Sequence, residues 1–156
     1  MPLIILTASR NLGGYDFVYS LGFIEHFEDY LDVIMEHDKI LKDNGILVIT
    51  TPNFRGRVQY LAHKFFDEDN LRNHVLKSMN PSEWAAMLKE KNYEILFAGY
   101  FGGFDFWVEP KKRSFFKKVL LRLFVYLAGF LRTRVKQDRE SCAPYCGLIA
   151  IKKAEK

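Results

Sequence analysis

Hydrophobic positions change their spacing twice between residues 15 and 52, and these changes predict a strand, a helix and a second strand. Tyr15–Leu21 is an apolar run rich in β-forming residues, which is typical of a strand covered on both faces. Apolar residues in Glu25–Leu41 then recur at helical spacing, and Asn44-Gly45 supplies a stop signal. Ile46–Thr51 is a second apolar run. Because the joints are short, we expect a right-handed βαβ unit with parallel strands.

The rest of the chain predicts two further helices and two further strands. Val58–Phe66 has helical spacing, and the run NPSE at 80–83 starts another helix, with a cap residue, a proline at the first helical position and a glutamate at the third. Glu94–Phe101 and Gly147–Lys152 have the composition of strands. The pattern therefore predicts an α/β fold with four strands.

Composition places the chain among ordinary globular proteins. It has 156 residues, of which 49% are hydrophobic and 27% charged, so we expect a single domain over residues 1–156. Cys142 and Cys146 have no histidine at zinc spacing around them, which favours reduced thiols over a disulfide or a metal site. The apolar stretch Leu3–Leu6 has no basic region before it, which argues against a signal peptide and favours the cytoplasm.

The net charge of +4 is modest, but many of the cations crowd into one segment. That segment belongs to an insertion over residues 105–145, between the last two strands, with a basic amphipathic helix near 114–134. We favour packing of this helix as a lid or against a partner. Peripheral contact with an anionic membrane surface is the alternative, because the uncharged run Leu123–Leu131 is far shorter than the about 20 residues that span a bilayer. Nucleic-acid binding is disfavoured, since no aromatic platforms flank a groove.

One long segment resembles a known family. YDFVYSLGFIEHFEDYLDVIMEHDKILKDNGILVITTPNFRG is similar to the fourth strand, following helix and fifth strand of class I S-adenosylmethionine-dependent methyltransferases of the small-molecule type. The positions that match the family pattern are Asp16, Val18, Ser20, Gly22, Glu25, His26, Leu41, Lys42, Gly45, Pro52 and Asn53. Weaker likeness continues through NPSEWAAMLKEKNYEI and GLIAIKK, so the resemblance covers residues 15–101 and 146–153.

The resemblance implies a partial Rossmann-like sheet. It would contain strands four to seven, mostly parallel with an antiparallel last strand, flanked by helices. In the family a Gly-rich loop after the first strand and an acidic residue after the second hold S-adenosylmethionine, and neither motif occurs in this sequence. Leu3–Ser9 stands where the third strand would be, with Thr7–Arg10 in place of its acidic end. We therefore expect the chain to correspond to the C-terminal portion of such an enzyme.

Site residues follow from the same resemblance. Ser20, Leu21 and Gly22 would lie beside the cofactor, and His26 is the candidate general base or orienting group. The predicted acceptor-binding residues are Glu25, His26, Thr51, Pro52, Asn53, Arg55 and Tyr60. His63 and His74 are predicted as surface or cap residues, and no metal ligands are predicted.

Two classes of function fit the sequence. The first is methyl transfer to a small-molecule acceptor, a reaction that needs alignment more than side-chain chemistry. The second is an inactive, methyltransferase-like interaction module that pairs with another chain. In both cases an open central strand would recruit a partner, so we expect a homo-oligomer or a second chain that completes the sheet.

Overall fold

The computed structural model describes residues 14–135 and 137–154, so the predictions for Leu3–Ser9 and the cation Lys136 lie outside the described residues. Two short 3-10 turns, Ile24–His26 and Leu76–Ser78, join longer elements. Those elements are β1 (Tyr15–Leu21), α1 (Tyr30–Ile40), β2 (Leu41–Pro52), α2 (Arg57–Phe66), α3 (Glu68–Arg72), α4 (Pro81–Glu90), β3 (Tyr93–Phe101), α5 (Phe115–Arg132) and β4 (Tyr145–Lys152).

The four strands form one sheet in the order β1-β2-β4-β3. β1 and β2 are parallel, whereas β4 lies between β2 and β3 and runs antiparallel to both. Three strands therefore point in one direction and the last strand opposes them. This arrangement confirms the predicted α/β fold with a partial Rossmann-like sheet.

The predicted elements occur, with shifted ends. β1 has the predicted bounds, but the helix predicted from Glu25 divides into a 3-10 turn and α1, which begins at Tyr30. Leu41 is already extended, so α1 ends at Ile40. The stop signal at Asn44, with a φ of 63°, lies instead within β2, where the pairing with β1 shifts register between Leu41 and Ile46.

The prediction that β1 is covered on both faces is wrong. Only Val18 and Ser20 of this strand are buried, whereas Phe17, Tyr19 and Leu21 are more than half exposed. The exposed side chains alternate with the buried ones, so they project from the opposite face of the sheet. An apolar run indicates which residues favour burial, but it does not show that a cover is present.

The core lies on one face of the sheet, between the strands and two helices. Ile34 of α1 and Trp84 and Leu88 of α4 are fully buried against sheet residues such as Leu47 and Ile49. The Trp84 indole N–H donates to the Ser78 carbonyl oxygen at 2.8 Å, so this large ring buries no unpaired donor. These contacts fix α1 and α4 on the strands that carry the candidate site.

The basic helix of the insertion forms as predicted, but it packs little against the chain. None of the residues of α5 is buried, and its ring contacts with the rest of the fold involve Phe124, which meets Phe66 at 5.8 Å and Phe106 at 4.8 Å. The structure therefore does not show a lid packed onto this chain. None of the helices in the described residues combines the length and apolar character needed to cross a bilayer.

Candidate functional site

The carboxyl ends of β1 and β2 meet at one edge of the sheet, which we call the rim. Leu21 pairs with Thr50, and the N–H of Gly22 donates to the Thr50 carbonyl oxygen at 2.8 Å. Ligands of open α/β sheets bind at this end of parallel strands. The predicted cofactor segment, Ser20 to Gly22, therefore lies beside the predicted acceptor segment that follows Thr50.

Gly22 makes the turn out of β1. Its φ is +61°, a left-handed conformation that glycine adopts without strain. A Cβ here would lie 3.3 Å from Oε1 of Glu25, closer than an ordinary contact. Glycine thus allows the chain to turn and the Glu25 carboxyl to approach the rim.

Glu25 is a buried acid with an unused oxygen. Its side chain is 1% exposed, and its Oε2 has no hydrogen-bond partner among the described residues. Burial raises the pKa of Glu25 to about 7, although a backbone hydrogen bond opposes this. Such a carboxyl can exchange a proton near neutral pH, which is the property that a general base or acid needs.

His26 and His74 lie next to Glu25. Their ring centroids are 4.7 Å apart, and the ligand atoms of the three side chains all lie within 4.8 Å of one another. The Val75 N–H donates to the Glu25 carbonyl oxygen at 2.7 Å, which holds the two chain segments together. Desolvation lowers the pKa of His74. Sequence spacing could not reveal this group, because His74 lies far along the chain from the other two.

His63 is buried, so its prediction as a surface or cap residue is wrong. Its ring lies 4.0 Å from that of Phe54 and 4.9 Å from that of Trp107, between centroids. Burial lowers the pKa of His63, although Asp67 acts in the opposite direction. Its Nδ1 lies 3.5 Å from Oδ2 of Asp67, which is too long for a good hydrogen bond.

Asp67 anchors the start of the insertion. It accepts hydrogen bonds from Lys111 Nζ at 2.7 Å and from the Glu109 N–H at 3.1 Å. Burial raises the pKa of Asp67, but the bonds from Lys111, Glu109 and Asn70 outweigh that effect and lower it. The segment that carries Trp107 is thereby held over His63, a contact that no local sequence pattern indicates.

The residues that end β2 have mainly structural partners. Thr51 is buried, with its Oγ1 3.1 Å from Sγ of Cys146. Asn53 is fully buried, and its Nδ2 donates to the carbonyl oxygens of Glu140 at 2.7 Å and Ala143 at 2.9 Å. Because its Oδ1 also accepts from the Gly56 N–H at 3.1 Å, the Asn53 amide fastens the insertion to β2.

Arg55 and Tyr60 lie outside this tight group. Arg55 is exposed and pairs with Glu140 at 3.6 Å, whereas the Tyr60 ring has Lys64 Nζ 5.6 Å from its centroid. Within residues 14–135 and 137–154, no hydrogen bond, ion pair or ring contact joins Tyr60 to the rim. The structure thus brings Ser20 to His26 together with Thr50 to Asn53, and leaves Tyr60 apart.

The cysteines show no sign of chemistry. Cys142 and Cys146 are both buried, and desolvation raises the pKa of Cys146 to about 12. A thiol with so high a pKa stays protonated at neutral pH and is a poor nucleophile.

Comparison with known proteins shows the family of the chain. The family model described as a methyltransferase domain matches residues 7–97, which is more than half of the chain. The chain belongs to the methyltransferase domain family. This match confirms the resemblance to class I S-adenosylmethionine-dependent methyltransferases. The rim segments Ser20 to His26 and Thr50 to Asn53 lie inside the matched range.

The chain is also similar to a solved structure. One is a protein assigned as a sarcosine dimethylglycine methyltransferase from Galdieria sulphuraria, which is 17% identical and has a TM-score of 0.45. The match covers 90% of this chain and 54% of that one, so the chain spans about half the length of that protein. No curated protein matches the chain.

Proposed function

We propose that this chain forms the acceptor side of an S-adenosylmethionine-dependent methyltransferase that acts on a small molecule. The observation that carries the proposal is the turn at Gly22. It directs the chain from the end of β1 to a buried Glu25 carboxyl whose Oε2 is unpartnered in the described part of the chain. The turn lies at the sheet edge where ligands of this fold class bind.

The residues of the rim suit the cofactor. Ser20 is buried and its Oγ has no hydrogen-bond partner among the described residues, so it can bond to a ligand. Leu21 is exposed and apolar, and Gly22 permits close approach. When bound, S-adenosylmethionine supplies an activated methyl group, and these residues would align it with the acceptor.

Glu25 and His26 are the proposed acceptor-side residues. With a pKa near 7, Glu25 can take the proton that a hydroxyl or amine acceptor loses, while His26 orients the acceptor. Thr51, Pro52 and Arg55 would flank the pocket, and Asn53 would hold its wall through the insertion. Tyr60 would contact the acceptor only if the acceptor extended beyond the rim.

A Gly22→Ala substitution tests the proposal. Alanine at a φ of +61° is strained by about 1–2 kcal/mol and crowds Glu25, so we expect calorimetric binding of S-adenosylmethionine to weaken at least about tenfold. Gly129→Ala on α5 is the matched control, because a Cβ there meets nothing within 4 Å. Equal binding by both variants would contradict the placement of the cofactor at the rim.

An interaction module is the second candidate, and the exposed apolar side of β1 favours it. For this function we expect no heat and no thermal shift with millimolar S-adenosylmethionine, together with stable association of the chain with itself or a partner. Micromolar binding of the cofactor would instead support the enzyme.

A further inference from the structure

The strongest unassigned feature is the group formed by Glu25, His26 and His74. Their potential ligand atoms lie within 4.8 Å of one another, although the third residue comes from a different part of the chain. We propose that these three side chains bind a divalent transition-metal ion of the zinc class at the rim. The proposal is independent of methyl transfer, because its test measures only the binding of a metal ion to the chain.

The two imidazoles are oriented as metal-binding histidines usually are. Nδ1 of His26 lies 3.3 Å from the Asn73 carbonyl oxygen, and Nδ1 of His74 lies 2.6 Å from that of Asn70. A carbonyl oxygen only accepts, so Nδ1 carries the proton in both rings. In the neutral tautomers Nε2 then keeps its lone pair, and backbone carbonyls often fix ligating histidines in this way.

The carboxylate supplies an independent observation. Glu25 is 1% exposed, and its Oε2 has no hydrogen-bond partner within the described residues. A buried polar oxygen without a partner is costly, and native structures usually satisfy such an atom with water or an ion. A metal ion at the rim would satisfy it and would also use the two adjacent nitrogens.

The distances require only a small adjustment. For three atoms that are mutually within 4.8 Å there is always a point that lies within about 2.8 Å of all three, whereas zinc binds nitrogen and oxygen at about 2.0–2.2 Å. The needed shift is therefore about 0.8 Å or less per ligand. His26 is exposed and His74 half-buried, so these two side chains can move while Glu25 stays in place.

The donor set indicates the class of metal. Two imidazole nitrogens and one carboxylate oxygen suit Zn²⁺ and its transition-metal neighbours, whereas Mg²⁺ and Ca²⁺ prefer oxygen ligands alone. Three protein ligands leave a fourth position open, as in catalytic zinc sites. That position would be available to water or to an oxygen of a bound small molecule.

Metal titration of the full chain tests this proposal. We expect about one Zn²⁺ per chain by calorimetry, and Co²⁺ to give the visible absorption of a nitrogen- and oxygen-ligated ion. Glu25→Gln, His26→Gln and His74→Gln should each lower the affinity at least about tenfold. Circular dichroism and thermal unfolding of each variant show whether the fold is intact.

His37→Gln is the matched control, because His37 bonds to the Val33 carbonyl oxygen on its own helix and lies outside the group. This variant should bind Zn²⁺ as the parent chain does. Three results would overturn the proposal: no uptake by the parent chain, equal uptake by the triple variant E25Q/H26Q/H74Q, or a thiolate-to-cobalt charge-transfer band, which would assign the metal to the cysteines.

Discussion

Both faces of the sheet are apolar, but within the described residues only one of them is covered. On one face Val18, Leu47, Ala150 and Ile95 form a row across the four strands, and the first three are buried. We call these four residues the covered row. α1 and α4 pack on this side and form the core with it.

The neighbouring row points the other way. Tyr19, Val48, Ile149 and Phe97 are paired in register across the same strands, and we call them the open row. Tyr19 is 63% exposed and Ile149 is 36% exposed. Contiguous exposed apolar surface of this kind usually marks an interaction site, so we expect a second copy of the chain to associate through the open row.

Handedness explains why the helices share one face. The co-directional strands β1, β2 and β3 progress across the sheet in one direction, with β4 inserted before β3. Right-handed connections between successive parallel strands then place α1 and α4 on the same side. Connections that progress in the opposite direction would be needed to cover the other face.

The largest difference is expected from two neighbours on β2. Leu47→Ala should lower the free energy of unfolding by about 2–5 kcal/mol, because the side chain is fully buried and leaves a cavity. Val48→Ala should cost less than about 1 kcal/mol, since its side chain faces the open side. Urea denaturation at protein concentrations low enough to keep the chain monomeric measures both values, and equal losses would contradict a core that lies on one face of the sheet.

The second-largest effect is expected from charges on the open row, which should disrupt association between copies of the chain. We expect the chain to form a dimer or larger assembly, and Tyr19→Lys combined with Ile149→Lys to raise its dissociation constant at least about tenfold, or about 1.4 kcal/mol. Tyr126→Lys on α5 is the control, because that residue is 74% exposed and lies outside the sheet. Light scattering measures the mass. A monomeric parent chain, or dissociation by the control alone, would place the interface elsewhere.

Periodicity and motif predicted most of the fold. The apolar run of β1 and the cap sequence before α4 are local signals, because a strand or helix start depends on adjacent residues. The burial of β1 could not be predicted in this way, since an apolar residue has the same identity with or without a cover. The antiparallel last strand followed from the family resemblance rather than from periodicity, and the order of the strands came from the structure.

The residues of the candidate site also divide into those that the sequence predicted and those that only the structure revealed. Gly22, Glu25 and His26 lie within one short stretch of sequence, so the motif that contains them was recognisable. His74 and the backbone partners of Asn53 reach the rim from distant segments, and Trp107 reaches His63 in the same way. A lone histidine or tryptophan gives no signal of its neighbours. Contacts of long sequence separation were therefore the part that only the structure could supply.

The smallest expected effect concerns pH, and it compares the buried His63 with the open row, which contains no histidine. Burial lowers the pKa of His63 in the folded protein. Its contribution to the free energy of unfolding is therefore fully present above the unfolded pKa of about 6.5, and it is lost as pH falls toward the folded pKa. Below pH 6.5 the free energy of unfolding should fall by at most about 1.4 kcal/mol per pH unit from this group.

His63→Gln removes this titrating group and should make the decline between pH 6.5 and the folded pKa shallower, whereas Tyr19→Ala on the open row should leave the slope unchanged. Urea denaturation at successive pH values measures both slopes. His74, whose pKa is also lowered, should preserve part of the decline in the His63 variant. A profile for His63→Gln that coincides with that of the parent chain would show that His63 is not held neutral by burial, and the segment carrying Trp107 would then have to admit water.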